Sequence, residues 1–388
     1  MNIKETAQKY SDYIIETRRY LHMHPELSTK EYETSKFVQS ELDKIGVPYV
    51  QCGLETGVLA TIKGGKPGKT ILIRGDMDAL PVPEENDLPY KSTVDGVMHA
   101  CGHDTHTAMM LTAAHILNDV KDELCGTVKL AFQPAEETAQ GAPSMIANGA
   151  MEGVDAVYGQ HIWTQVPIGK VAFAAGPRMA SAGQFEIWVQ GKGGHGAEPH
   201  NCHDAVTCCA AIVNSLQTIV SRSVDPNQTA VVSAGCISCG NEKGSSVVQK
   251  TATIVGTTRS FEKEVQDIII QRMQQIVDGT ALSNDMQGKL EYTKLYPAMF
   301  NSPEHVEKAK ALLGEALGQD KVKLMIRRAG GEDFSFMLQA KPGCLFRLGV
   351  QDETHNASVH NPEFDFNDKA IATGAACLLT IALNRAAS

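Results

Sequence analysis

Thr70-Ile71-Leu72-Ile73-Arg74-Gly75-Asp76-Met77-Asp78 is the stretch on which the fold turns. Its apolar, β-branched start follows Gly64-Gly-Lys-Pro-Gly68, which reads as a turn, so the spacing predicts a buried strand that stops where two carboxylates begin. The same pattern recurs along the chain. Residues 127–132 form an apolar run ending at Gln133-Pro134, residues 154–158 one ending at Gly159-Gln160-His161, and residues 344–349 one followed by His355 and His360. Helical periodicity covers 105–117, 309–317, the segment around 334–338 and 370–384, and two helices, 3–22 and 34–45, open the chain. Strands alternating with helices predict an α/β protein with a mainly parallel sheet and helices on both faces.

Between these halves the pattern changes. Residues 184–190 alternate apolar and polar, 203–221 are helical, 228–237 and 247–258 read as strands, 262–277 as a helix and 289–295 as a strand. That β-α-β-β-α-β order is the signature of a ferredoxin-like split βαβ unit. It is expected as an insertion at 181–295 that divides the main domain into 1–180 and 296–388.

A chain of 388 residues, 43% hydrophobic and 21% charged, has room for two domains and excludes collagen-like, coiled-coil and wholly disordered readings. Lys plus Arg number 35 against 45 Asp plus Glu, and the formal charge of -10 argues against nucleic acid or an anionic membrane as a partner. The polar N-terminal stretch does not read as a signal peptide, and no run approaches the roughly 18 apolar residues of a membrane span. The ten cysteines then read as reduced thiols, so the expected compartment is the cytoplasm.

Ligands of open parallel sheets gather beyond the carboxyl ends of the strands. Here those ends carry Asp76 and Asp78, Glu136 and Glu137, His161, and His355 and His360, with His99-Ala-Cys101-Gly-His103-Asp104-Thr-His106 between the first two. Mixed Cys, His and carboxylate donors suit Zn, Mn, Co or Ni, whereas Mg or Ca would be held by oxygen alone. Cys101 and His103 can reach one metal or straddle two. A pair of ions about 3.5–4 Å apart holds a shared water and polarises a carbonyl. A lone Cys is more often a small buried hydrophobe, and Cys52, Cys125, Cys202, Cys208, Cys209, Cys344 and Cys377 take that role. Cys236-Ile-Ser-Cys239 has no second pair and reads as coincidence, and His22, His24, His99, His106, His115, His203 and His305 read as surface, capping or supporting groups. Adjacent carboxylates normally mark a solvated face, but Glu136-Glu137 follow an apolar strand and a Pro. On extended backbone they would point opposite ways, one to metal and one to substrate as a general base.

Arg74-Gly-Asp-Met-Asp-Ala-Leu-Pro81, Met98-His-Ala-Cys-Gly-His-Asp-Thr-His-Thr107, Phe132-Gln-Pro-Ala-Glu-Glu137, Gly159-Gln-His161, Gly191-Lys-Gly-Gly-His-Gly-Ala-Glu-Pro-His200, Gly256-Thr-Thr-Arg-Ser-Phe261 and Gly330-Gly-Glu-Asp-Phe-Ser335 resemble, in order and across nearly the whole chain, the signatures of N-acyl-amino-acid amidohydrolases. This is the hippurate hydrolase and aminoacylase group, related to dinuclear metallo-carboxypeptidases. The resemblance implies two divalent transition-metal ions held by Cys101 as bridge with His103, Glu137, His161 and His360, with Glu136 as general base and Asp78 as a supporting acid. Asp76 is not among the implied ligands, and His355 competes with His360 for the last place. His195 matches a histidine that stabilises the carbonyl oxyanion and Arg259 an anchor for the substrate carboxylate, both on an inserted domain that serves as lid and dimerisation surface. The implied reaction is hydrolysis of an N-acyl amino acid by a homodimer or higher homo-oligomer. Alternatives are a metallo-dipeptidase or carboxypeptidase, a weakly active ligand-binding relative, and a cysteine hydrolase using Cys101 with His103 as base. The chain departs from the family at Ser246-Val-Val-Gln249, where relatives carry Asn-Val-Ile-Pro.

Overall fold

A computed structural model describes residues 2–241 and 243–386. They form two compact units, one built from the chain up to Gly176, from Phe300–Ile326 and from Asp333 onward, the other from Pro177–Met299 and Arg327–Glu332.

The first unit is organised on an eight-stranded sheet. Its centre is four parallel strands in the order Cys125–Gln133, Lys66–Asp76, Ala156–Pro167 and Gly343–Gln351. Val58–Lys63 and then Tyr49–Gln51 extend one edge antiparallel. Val171–Phe173, antiparallel to Gly343–Gln351, and then Val322–Leu324 extend the other. Ile71, Leu72 and Ile73 are all buried, the continuous apolar run that a strand covered on both faces requires. The helix His103–Asp119 packs on these strands and on the helices Ser11–Met23 and Ile371–Arg385, and is buried along most of its length. Truncating one of its buried residues, such as Leu111, to Ala would cost about 2–5 kcal/mol.

The sequence pattern departs from the structure in several places. The strand expected to end at 158 runs on through Ala156–Pro167, so His161 lies inside it and not beyond its end. The first predicted helix is broken at Tyr10 into Ile3–Lys9 and Ser11–Met23, because the Ser11 hydroxyl donates to the Gln8 carbonyl and competes with the helical ladder. The turn expected at 64–68 is partly strand: Lys66–Asp76 begins inside it, with Lys66 opposite Cys125 and an irregular register up to Thr70. The strand expected over 247–258 is two strands, Val247–Val248 and Thr251–Ser260.

The second unit is a four-stranded antiparallel sheet in the order Ala230–Ser238, Thr251–Ser260, Ser181–Gln190 and Gln287–Tyr296. Phe185, Ile187 and Val189 alternate inward to meet Ile212 and Leu216 of the helix Ala205–Thr218 and Ile269 and Met273 of Lys263–Ser283. The short strand Val247–Val248 leaves this sheet and pairs with Gly194–His195.

Candidate metal centre

In the first unit the strands Lys66–Asp76 and Ala156–Pro167 pair as far as Arg74 and Gly159 and then part. Asp78 and His161 lie just beyond that point. Gly102 supplies the bend that brings Cys101 and His103 there. Its φ is +81°, and a Cβ on it would lie 2.4 Å from Ile162 Cδ1, so any side chain there would be strained.

Of the five groups of candidate ligand atoms among the described residues, each with its atoms within 4.8 Å of one another, two contain Cys101: Cys101, His103 and His161, and Cys101, Glu137 and His360. Neighbouring groups define the ring tautomers. His103 Nδ1 lies 2.9 Å from the Asp78 carbonyl and 3.1 Å from Asp78 Oδ1, so it carries the proton and Nε2 faces inward, buried and without a hydrogen bond. His161 Nδ1 donates to the Ile162 carbonyl at 2.6 Å, which turns Nε2 toward Cys101 Sγ, 3.5 Å away. Such imidazole nitrogens, with the far side of the ring tied to an acceptor, are made for metal ligation. Asp78 also accepts from the Ser28 hydroxyl at 2.7 Å and the Glu137 amide at 3.1 Å, so one carboxylate orients two candidate ligands.

Electrostatics agree with cation binding. Burial opposes a charged His103, but Asp76, Asp78 and Glu137 outweigh it and raise its pKa to about 10. The Cys101 thiol is pushed well up by burial, then by Glu137, Glu136 and Asp76, while burial and the neighbouring His106 hold His161 well down. A nucleophilic cysteine needs electropositive surroundings and a basic partner. Cys101 sits among carboxylates, and the ring nearest its sulfur is His161 rather than His103, which removes the support for a cysteine hydrolase.

Glu136 and Glu137 do not lie on extended backbone. Ala135 before them has φ +50° and Ala139 after them φ +59°, so the pair sits in a tight turn and both carboxylates come within 4.8 Å of His103. Two buried acids hold this turn. Glu31 accepts the Ala135 amide at 2.9 Å and the Thr56 hydroxyl at 2.8 Å. Asp333 accepts from Arg74 Nη2 and Gln133 Nε2 at 2.8 Å and from the Ala142 amide at 2.9 Å, while its own amide donates to Glu136 Oε1 at 3.3 Å. The Gly330–Ser335 motif thus reaches the turn through Asp333. Glu31 carries no motif, and only the structure reveals it.

The excluded candidates are otherwise engaged. Asp76 accepts from Arg74 at 2.6 Å and meets His106 Nδ1 at 2.5 Å, and His106 Nε2 accepts the Ile162 amide at 3.0 Å. His355 Nδ1 is 2.8 Å from Asp352 Oδ1, whereas His360 Nε2 is 3.3 Å from Glu137 Oε1. His360 has φ +66°, a left-handed conformation that a non-glycine residue adopts at a cost of about 1–3 kcal/mol.

His195 and Arg259 belong to the second unit. His195 is exposed, and its Nδ1 accepts the Ala197 amide at 3.1 Å, so the neutral ring carries its proton on Nε2. Arg259 donates through Nε to the Ala329 carbonyl at 3.1 Å and through Nη1 to the Thr258 carbonyl at 2.8 Å, which fixes the guanidinium plane. Val247 and Val248 pair through the backbone with His195 and Gly194, and Gly196 donates to the Ser246 carbonyl at 2.7 Å. These main-chain bonds do not depend on the side chains that depart from the family pattern.

Residues 72–384 match the model of peptidase family M20/M25/M40. The chain belongs to this family. It is 39% identical over 379 residues to thermostable carboxypeptidase 1 of Saccharolobus solfataricus (96% of this chain, 95% of the relative). It is 38% identical over 377 residues to the IAA-amino acid hydrolase ILR1-like 2 of Arabidopsis thaliana (96% and 85%). Among solved structures, the Bacillus subtilis YXEP protein, described as a dinuclear metal binding peptidase from the M20 family, superposes with a TM-score of 0.85 at 32% identity, covering 97% of this chain and 98% of its own. The protein is therefore an M20-family hydrolase, and its buried, metal-ready nitrogens fit the family's chemistry of metal-dependent amide hydrolysis. Among the described residues no helix is long and apolar enough to cross a membrane.

Proposed function

We propose that this protein hydrolyses the amide bond of N-acyl amino acids to a carboxylic acid and a free amino acid, using two divalent transition-metal ions, Zn, Mn, Co or Ni. One observation carries the reading: Cys101 is shared by two ligand groups, with His103 and His161 in one and Glu137 and His360 in the other, while Glu136 lies against the same His103. Those five residues would hold the ions. Bound there, the ions supply a water of lowered pKa and polarise the scissile carbonyl.

The remaining chemistry falls to the chain. Glu136, buried and steered by the Asp333 amide, takes the proton of the attacking water and passes it to the leaving amine. Asp78 keeps His103 turned inward. His195, with its proton on Nε2, is in the form that donates to a developing oxyanion, and the fixed guanidinium of Arg259 suits a planar carboxylate. A homodimer joined through the second unit fits its exposed Ile237 and Val247, and ten free thiols suit the cytoplasm. The likeness to a protein named carboxypeptidase favours a second reading, cleavage of peptides, which would use the same core residues.

The test is a hydrolysis screen of benzoyl-, acetyl- and indoleacetyl-amino acids beside dipeptides, run on chelator-stripped protein with and without added Mn, Co or Zn. Metal-restored cleavage of the acyl amino acids is expected. Cleavage of dipeptides alone would transfer the function to the second reading, and full activity of the stripped protein would refute both. Glu136→Gln should keep its metals and lose more than about a hundredfold in turnover.

A further inference from the structure

Arg18, on the helix Ser11–Met23, has no exposed surface and no part in the chemistry above. Its guanidinium meets three carboxylates: Nε is 3.2 Å from Asp104, Nη2 3.0 Å from Asp365 and Nη1 2.8 Å from Asp368. Tyr90 and Phe366 flank it, with ring centroids 5.0 and 4.4 Å from Cζ. One turn along the same helix, buried His22 places Nδ1 2.8 Å from Asp104 and Nε2 3.4 Å from Glu84. The loop after Glu84 joins the same structure, since Glu85 donates to the Pro362 carbonyl at 2.9 Å and Asn86 to the Phe364 carbonyl at 3.0 Å.

The placement of these acids in the chain gives the network its meaning. Asp104 directly follows His103 and opens its helix, while Asp365 and Asp368 follow His360. One guanidinium therefore ties the loop that carries Cys101 and His103 to the segment that carries His360. The backbone of this segment is also held directly, but the His360 side chain is not enclosed. It is 52% exposed, the backbone there is left-handed, and the His360 amide donates to the Ala100 carbonyl at 2.7 Å. A buried ion pair is weak evidence for stability, because apolar replacements often do as well. A rigid fork that engages acids from two ligand-bearing segments instead sets their spacing.

We infer that Arg18, supported by His22, is a positioning residue for the metal centre: it fixes the separation of the Cys101–His103 loop from the His360 segment and thereby sets affinity for the second of two ions. The inference rests on the dinuclear reading above.

Wild type, Arg18→Lys, Asp365→Asn and a control, Leu313→Ala, are stripped with chelator and titrated with Mn or Zn by calorimetry, with elemental analysis, circular dichroism and thermal melts alongside. Leu313 is buried in the helix Pro303–Leu317, outside the network, so its truncation lowers stability without touching the tie. Wild type and Leu313→Ala are expected to take up two ions. Arg18→Lys, whose ammonium cannot fork to three acids, and Asp365→Asn are expected to keep one tight ion and bind the second about 10–100-fold more weakly. If Arg18→Lys does not fold, Asp365→Asn decides. Wild-type affinity for both ions in folded Asp365→Asn overturns the inference, as does an equal loss in Leu313→Ala. A wild type that takes up a single ion overturns the dinuclear reading, and the inference with it.

Discussion

Gly102→Ala tests how the centre is built. The substitution adds one methyl group between Cys101 and His103, at φ +81°. A left-handed alanine costs about 1–2 kcal/mol. The new Cβ would also lie 2.4 Å from Ile162 Cδ1 and 2.8 Å from Cγ1 in a fully buried environment, and overpacking of that kind costs about 1–3 kcal/mol. The sum, about 2–5 kcal/mol, corresponds to a fall in melting temperature of roughly 4–20 °C for a domain of this size. The two contributions can be separated. Ile162→Ala removes both clashing carbons, so in that background Gly102→Ala should cost less by the overpacking share and keep only the backbone strain. Thermal melts of the four proteins give the cycle, and metal titration shows whether Cys101 and His103 still converge. An unchanged melting temperature with two ions bound would refute the role assigned to Gly102, and an equal cost in both backgrounds would refute the steric half of it.

Asp78→Asn should weaken metal binding about 10–100-fold, because an amide nitrogen would face either the Glu137 amide and Ser28 hydroxyl, which now share Oδ2, or His103 Nδ1, which now meets Oδ1; chelator competition measures it, and unchanged affinity would show that Asp78 does not orient His103. Metal uptake should release protons, since His103 is held charged to about pH 10 and the Cys101 thiol is held protonated in the metal-free state. Affinity should therefore rise with pH through neutrality, and calorimetry in buffers of different ionisation enthalpy would contradict this by finding no proton release. Arg259→Lys should raise KM about tenfold or more with a smaller effect on kcat, the mark of lost carboxylate binding; steady-state kinetics that show kcat falling alone would assign the residue elsewhere.

Much of this architecture is legible in the sequence because it is written in local signals. Apolar runs that stop at Asp76 and Gln133 announce strand ends, and the Cys101-Gly-His103 spacing points to a shared candidate site, whereas the end read before His161 is absent because Ala156–Pro167 runs on through it. The scaffold around the site is less legible. Arg18 and His22 continue the helical stripe begun by Ile14 and shared with Leu21, so an arginine and a histidine on an apolar face are a readable sign of a buried network, though not of its partners, which lie far along the chain. Glu31 gives no such sign, since its role depends on an amide 104 residues away. The orientation of Glu136 and Glu137 was misread because alternation holds only for extended backbone, and the left-handed Ala135 is invisible in a sequence where nothing but glycine marks positive φ. The division of residues 247–258 into two strands likewise follows from pairing with Gly194–His195, a partner no periodicity reveals.

The placement of Gly343–Gln351 beside Ala156–Pro167 has a consequence for biosynthesis. The sheet's last central strand and His360 are translated only after the whole inserted unit, so a nascent chain emerging from the ribosome can complete that βαββαβ fold while the larger sheet still lacks a member. On the dinuclear reading proposed above, maturation into a holoenzyme would then wait for the downstream segment that brings His360 to Cys101 and Glu137.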